Sequence, residues 1–494
     1  LKISPKKIWD ALSKFFKRIL RWLSKNWFYT TLIAVAVIGG VCAFLVVPFA
    51  VPQPFSKDDS ISTLRQAVLV ATGGVLAILT LWENRRKNDQ EHMRQVHAER
   101  RTRYATAIEQ LADEKAPIRL GGVYTLIKLV DEWLGDEKTL PSKEERREEG
   151  QAIINSLCAY IRSPFDLTSK SKVLSENEVP ESYESGIQQF AKDQARFREE
   201  KELRLTILDA IKTRLNDGII TEKDGTKKLL KGPWSDFDYD FSNTIFFYSI
   251  DFRNSHFNAS SNFIQATFTQ NADFSGATFT QNANFFRAEF TEASFSMAKF
   301  TRFADFSGAE FTEASFSRAK FTQNANFSAA TFTQNADFSE VKFTRFAHFF
   351  RAKFIGYAKF SAAEFTKNAN FSAAKFIGYT NFSAAKFTEA SFSRAKFIGY
   401  AKFSGATFTQ NADFSAATFE DKPKFEYTLD NKTYKARFSY KAEPKDYNFE
   451  VSYDSPYKIE TEEKEYNETK FIIPKGAELF DPDKPSEQGN NDGN

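Results

Sequence analysis

Phenylalanine recurs every five or six residues from Phe263 to Phe419, at 263, 268, 274, 279, 285, 290 and onward, thirty times without a gap, usually with Ala two positions earlier. A period near five fits neither the helical repeat nor strand alternation, but it fits a solenoid with one buried aromatic on each side of every coil. Counting steps from Phe263, every six-residue step falls at an even place, as in 268 to 274 and 279 to 285, and every odd step is five. In a four-sided coil this confines the extra residue to two opposite sides, whereas a three-sided coil would scatter it. Steps 290 to 295 and 311 to 316 are five at even places, so the prism is expected to narrow there. About nine coils at the strand spacing of ~4.8 Å give a column about 40 Å long, a rod and not a pocket. No rung is stable alone, so the coils depend on their neighbours and the two ends need caps.

The same residues account for the composition: 54 Phe stand beside 2 Met, 2 Cys and 4 His. Cys42 and Cys158 cannot build a disulfide framework, and the net charge of 67 − 64 = +3 names no partner. His92 and His97 are five apart and miss the spacing that puts two ligands on one helix face. His256 and His348 stand alone in the column, with no carboxylate pair, nucleophile elbow or Walker loop. The expectation is a protein without catalytic residues, cofactor or metal, and not an enzyme.

The motif A-[D/N]-F, as at Ala272-Asp273-Phe274 and Ala325-Asn326-Phe327, resembles the pentapeptide-repeat family in its phenylalanine-centred form. The resemblance covers about 237 to 419. It implies a right-handed quadrilateral β-helix, four pentapeptides to a coil, with the central Phe and the preceding Ala pointing inward. The stretch from Ala98 to Asn216, with ERRTRYATAIEQLADEKAPIRLGGVYTLIKL and LRLTILDAI, is similar to the helical segment before the repeats in membrane-anchored bacterial members.

Residues 27 to 49 carry no charge and are long enough as a helix to cross a hydrocarbon core of roughly 30 Å. A second apolar stretch, Ala67 to Trp82, reaches spanning length when extended to Ile61 through Arg65 and Gln66. A short connection with three prolines separates them, so the pair reads as a helical hairpin. Lys2, Lys6, Lys7, Lys14, Lys17, Arg18, Arg21 and Lys25 precede the first span, and Arg85, Arg86, Lys87, Arg94, Arg100, Arg101 and Arg103 follow the second. The positive-inside rule then places both ends in the cytoplasm, for a multi-pass protein of the bacterial inner membrane. A cleaved signal peptide fits poorly with a span this long followed by another. Leu1 in place of Met points to an alternative start codon or a trimmed chain. Ile8, Leu12, Phe15, Ile19 and Trp22 recur at helical spacing behind Ser4-Pro5, as in a helix lying on anionic lipid or one that only supplies topology charge.

Beyond the spans the pattern predicts a continued helix from Glu83 to Asp113 and helices at about 117–134, 143–162 and 186–215, with Val123, Leu126, Ile127, Val130, Ile153, Ile154, Leu157 and Ile161 as a bundle core. Ser163 to Ser182 reads as a long loop, and Gly121-Gly122 as a close approach or a break without chemistry. After Phe419 the ladder is expected to stop. A hairpin then turns at Asp430-Asn431, and strands near 448–453 and 469–473 cover the last coil. The chain thus divides into a basic amphipathic helix (1–26), two transmembrane helices with a short loop (27–82), a helical cytoplasmic domain (83–235), the β-helix (236–419), a β-rich cap (420–480) and a disordered tail (481–494).

One stripe on the column stands out. Ile-Gly-Tyr fills the six-residue steps at 355–357, 377–379 and 398–400, four steps apart and hence on one side of successive coils. Tyr357, Tyr379 and Tyr400 should stack, beside an outward row of Lys353, Lys375 and Lys396. Such a strip can grip an anionic or nucleic-acid partner. The favoured reading is structural: Gly makes the corner, Tyr covers edge atoms and Lys is solvated, the matching residues being copies of one repeat. Phe303 and Phe346, on the opposite side, read as cover for neighbouring coils. The leading functional expectation is a non-catalytic scaffold or protein-interaction rod tethered to the bilayer, its protein partner unknown. Alternatives are binding of nucleic acid or anionic lipid by the Lys/Tyr stripe, or topoisomerase regulation as in the acidic family members. The ladder carries 16 Lys and Arg against 11 Asp and Glu, so its net of 16 − 11 = +5 has the wrong sign for imitating DNA.

Overall fold

The computed structural model describes residues 27–50, 60–176, 183, 186–221 and 227–484. The amphipathic helix expected in 1–26, the connection at 51–59 and the tail from 485 lie outside the described residues.

The chain forms two compact units that divide at Thr102 and Arg103. In the first, α1 (Trp27–Val41) passes through a π-helical turn at Cys42–Val46 into α2 (Val47–Ala50), and α3 (Ser60–Leu111) is one helix of 52 residues. Trp27–Phe49 and Ile61–Leu111 are long and apolar enough to cross a membrane. They pack closely, because a Cβ on Gly39 would come within 2.3 Å of the Thr72 hydroxyl. Trp27 and Trp82 meet edge to face at 6.5 Å at one end of the pair, next to Tyr29 and Lys87.

In the second unit, α4 (Ala116–Gly135), α5 (Lys143–Arg162) and α7 (Gly186–Arg214) lie where the apolar periodicity predicts. Ser142 caps α5 by accepting from the Glu145 amide at 3.3 Å, and Glu144 and Glu145 suit the first turn. Gly122 does not break α4. It lets the helix close on α3, since a Cβ there would meet the Ala107 carbonyl at 2.7 Å. The expected loop at 163–182 is corrected: a 3-10 turn at Thr168–Lys170 leads into α6 (Ser171–Ser175), and Leu167 and Leu174 are buried. A hairpin pairs Asn216–Thr221 with Lys227–Lys231 inside the stretch read as purely helical.

The helices close the first coil of the solenoid. Arg204, 2% exposed, binds Glu200 at 2.7 Å and the Ile161 and Ser163 carbonyls at the end of α5, and its guanidinium lies 5.5 Å from the Phe247 ring centre. Asp131 joins Arg214 and the Trp234 indole at 2.8 Å each. Gln151 exchanges two 2.8 Å bonds with the Asp238 backbone, and the Leu215 carbonyl accepts the His256 amide.

The solenoid carries four columns of stacked rings. Phe263, Phe285 and Phe306 follow one another at 4.8 Å, and Phe268, Phe290 and Phe311 at 4.5 and 4.9 Å. Phe274 and Phe279 head the third and fourth columns, with partners at 5.0 Å. All thirty phenylalanines are buried, as are the alanines two residues before them. Phe241, Phe246, Phe252 and Phe257 extend the columns upstream, giving eight complete turns from Phe241 to Phe414. Rungs of adjacent turns pair in parallel, Phe290 with Phe268 and Phe311.

The six-residue steps lie between the second and third columns and between the fourth and first, two opposite sides. Where a short turn adjoins a long one, a bulge takes up the extra residue between Phe290 and Glu292. The narrowing is therefore slight: opposed rings are 5.3 Å apart at Phe285–Phe295 against 5.5 Å at Phe263–Phe274. The residue two after each first- and third-column Phe has positive φ, among them Ala329, Ala362, Arg394 and Gly308.

The ladder does not stop at Phe419. Phe425 stacks on Phe403, Phe438 on Phe408 and Phe449 on Phe414, so the cap is a last turn of the same helix with a hairpin inserted in it. That hairpin pairs Glu426–Leu429 with Lys432–Lys435, and Asp430 and Asn431 both have positive φ, as a type I′ turn requires. The strand expected at 448–453 is only Tyr447–Asn448, and Thr461–Tyr466 pairs with Thr469–Pro474. Glu478–Phe480 covers the edge at Phe438, and Ser452 and Tyr457 bond the backbone of Ala417 and Phe419.

Candidate interaction face

The sheet between the second and third columns has fourteen strands and runs from Ile245 to Phe419. Its turns are numbered here by their second-column rings: Phe246, Phe268, Phe290, Phe311, Phe332, Phe354, Phe376, Phe397 and Phe419 for turns 1 to 9. The tyrosine stripe lies on turns 6 to 8. Tyr357 and Tyr379 stack at 5.0 Å, and Tyr379 and Tyr400 meet at 5.4 Å. Lys353 pairs in register with Lys375, and Lys375 with Lys396. All six residues singled out from the sequence therefore share one face.

The corner glycines have a structural reason. A Cβ on Gly356, Gly378 or Gly399 would sit 2.3, 2.3 and 2.5 Å from a carbonyl oxygen of the preceding turn. Only Gly permits that approach. Beside these corners Tyr357 and Tyr400 are half-buried and Tyr379 is 37% exposed. Burial, reinforced by the neighbouring phenols, pushes the Tyr379 hydroxyl up to about 12, so it remains a hydrogen-bond donor across the physiological range.

Three features escaped the sequence reading. Tyr427, from the inserted hairpin, carries the aromatic row onward, with the Lys402 ammonium 3.7 Å from its ring centre. Burial holds the Lys402 amine below its ordinary value. Next to it Tyr400, Tyr427, Lys422, Lys424, Lys435 and Lys475 border an open cleft of about 780 Å³, in which Lys422 is paired with Glu460 at 2.6 Å.

The third feature is a charge division along the face. Turns 1 to 5 present Asp251, Asp273, Glu289, Glu292, Glu310, Glu313 and Asp337 and no cation; turns 6 to 8 present Lys353, Lys359, Lys375, Lys396 and Lys402 and no acid. Glu289 is in register with Glu310 and Glu292 with Glu313, and all four are exposed. Among the described residues none of the four forms an ion pair, nor do Lys353, Lys375 and Lys396. Asp251 is held by Lys212 and Arg253, and Asp337 by Lys359 at 3.6 Å. Assigning each polar residue to its column would have exposed this pattern in the sequence.

The opposite face mixes its charges: Glu364 bridges Lys342 and Lys386 at 3.1 Å. Phe303 and Phe346 emerge there 38% and 44% exposed, but Asn324 of the intervening turn separates them, so they form no continuous patch. No group of three or more His, Cys, Asp or Glu suited to a metal occurs among the described residues.

A family model described as pentapeptide repeats (9 copies) matches residues 241–289, 285–331 and 360–407. Neither the curated proteins nor the solved structures gave a match. Stacked rings at every fourth rung, alanines buried beside them and the matched segments lead to one assignment: the β-helix of this chain is a pentapeptide-repeat solenoid in phenylalanine-centred form.

Proposed function

We propose that this chain is a non-catalytic interaction rod, anchored in a bacterial inner membrane by two spans with both termini in the cytoplasm, that presents the tyrosine face to a protein partner. The observation that carries this reading is α3, an unbroken helix whose apolar first half has spanning length and whose last turn packs on the bundle that closes the solenoid. The solenoid interior is filled by rings and capped at both ends, so recognition falls to its outer faces. The cations after Trp82 orient the pair by the positive-inside rule.

The test uses the full chain with Cys42→Ser and Tyr453→Cys, since Tyr453 is 95% exposed. A membrane-impermeant maleimide should label the carbonate-resistant protein in spheroplasts only after permeabilisation. Labelling of unpermeabilised spheroplasts, or release of the chain by carbonate, overturns the reading.

A second reading, binding of nucleic acid or anionic lipid, draws on the in-register lysines without ion pairs. The adjoining carboxylates limit a polyanion to about three turns, or roughly 10 to 15 Å. It predicts affinity that falls steeply with salt and with Lys353, Lys375 and Lys396 neutralised. Binding indifferent to both removes it.

A further inference from the structure

The charge division on the tyrosine face is costly. Two pairs of in-register glutamates and three in-register lysines repel one another along the rod, and like charges on neighbouring strands destabilise a sheet. The opposite face shows that the same repeat can avoid this, since Glu364 there lies between two lysines. Over turns 2 to 8 the face is acidic at one end and basic at the other, and so is complementary to itself when inverted, while turn 9 mixes Glu420 and Asp421 with Lys422 and Lys424. We propose that the tyrosine face docks on a second copy of this chain, face to face with the rods antiparallel, about a two-fold axis that crosses the face at turn 5.

The register makes this specific. The axis runs along the strands, so position is kept across the face and reversed along it: turn n of one copy meets turn 10 − n of the other. Glu289 of turn 3 then lies over Lys375 of turn 7, and Glu310 of turn 4 over Lys353 of turn 6. Asp273 lies over Lys402 and Asp251 over Lys424, but Arg253 already pairs with both acids and Lys212 with Asp251, so the central Glu–Lys contacts carry the register. At the middle of the face, Glu292 and Glu313 come over Tyr379 and Tyr357, whose phenol hydroxyls can donate to carboxylates. Turn 5 meets itself through Thr331 and Gln334, which are uncharged, while Asp337 is already neutralised by Lys359. Parallel rods would instead set Glu over Glu and Lys over Lys. Such an interface is isologous, as closed two-fold dimers are.

The face is about 30 Å long over turns 2 to 8 and about 17 Å wide, close to 1,000 Å² buried by the two copies together, the low end for a specific interface. The dimer should therefore be weak and salt-sensitive, with charge setting orientation more than affinity. The proposal deepens the reading of this face as a docking surface and is independent of the membrane tether.

The experiment uses the full chain in detergent, with sedimentation velocity as the readout. A variant with Glu289→Lys and Glu310→Lys sets Lys over Lys at the four central contacts; one with Lys353→Glu and Lys375→Glu sets Glu over Glu there. Each alone should lose self-association at least tenfold, and an equimolar mixture should recover it as a heterodimer, a rescue that misfolded variants would not give. In a Cys42→Ser background, Gln334→Cys should cross-link to itself, whereas Glu292→Cys should cross-link to Tyr379→Cys and not to itself. Unchanged association of the two variants, no heterodimer on mixing, or a Glu292→Cys homodimer each overturns the antiparallel dimer. If the dimer fails while Tyr379 still cross-links to a different protein in cells, the docking face stands and its occupant is that protein.

Discussion

The tightest points in the rod are single backbone positions. Gly378 lies so close to the Gly356 carbonyl that Gly378→Ala forces two turns apart, and a loss of about 1 to 3 kcal/mol is expected in denaturant unfolding. The opposite change helps where the backbone is left-handed. Ala362 has φ +55, and Ala362→Gly should raise stability by up to about 1 kcal/mol. A neutral result at position 378 would mean the corner is looser than its geometry. Cys158 tests the bundle core in another way: burial pushes its thiol up to about 12, so a thiol reagent should modify it only on unfolding. These sites were unevenly legible. The repeat itself announces Phe and Ala, because burial of one ring per side fixes the spacing. The glycine's reason was hidden, because it depends on an oxygen one turn away and not on a neighbour in sequence.

At the scale of elements, the columns should fail cooperatively. Phe316 touches stacked neighbours at 4.9 and 4.8 Å and is fully buried, so Phe316→Ala should cost about 3 to 5 kcal/mol, read as a shift in the unfolding midpoint. The helical cap is tied to the first turn partly by charge. Burial alone would raise the Asp251 carboxyl, but bonds from Arg253 and Lys212 outweigh it and hold the group well below the usual carboxylate range. A depressed acid contributes stability at neutral pH that is lost as pH falls below about 4. Asp251→Asn should therefore melt lower than the parent at pH 7, with the gap closing towards pH 2; a gap constant with pH would contradict the pairing. The closing turn shows where reading failed. Phe419 to Phe425 keeps the six-residue step, but the inserted hairpin stretches the next step to Phe438, and periodicity cannot see across an insertion. Likewise α6 is only five residues, too short to show a helical period.

At the scale of the whole molecule, the two apolar helices, the bundle and the rod were legible because each repeats one physical demand many times. The face was half legible. The tyrosines and lysines stood out as identical triplets, but the carboxylates facing the same way were written in another motif, FTEASF, that also occurs on the opposite side. Only the assignment of residues to columns separates them. The most direct test of the account is photo-crosslinking in intact cells, with a photoreactive residue at Tyr379 and a control at Asn368 on the opposite sheet, read by mass spectrometry. The account predicts a discrete protein adduct from Tyr379 that Asn368 does not give, the adduct being a second copy of the chain if the antiparallel dimer holds. Identical adducts from both positions, or none from either, would contradict the claim that this face is where the rod meets its partner.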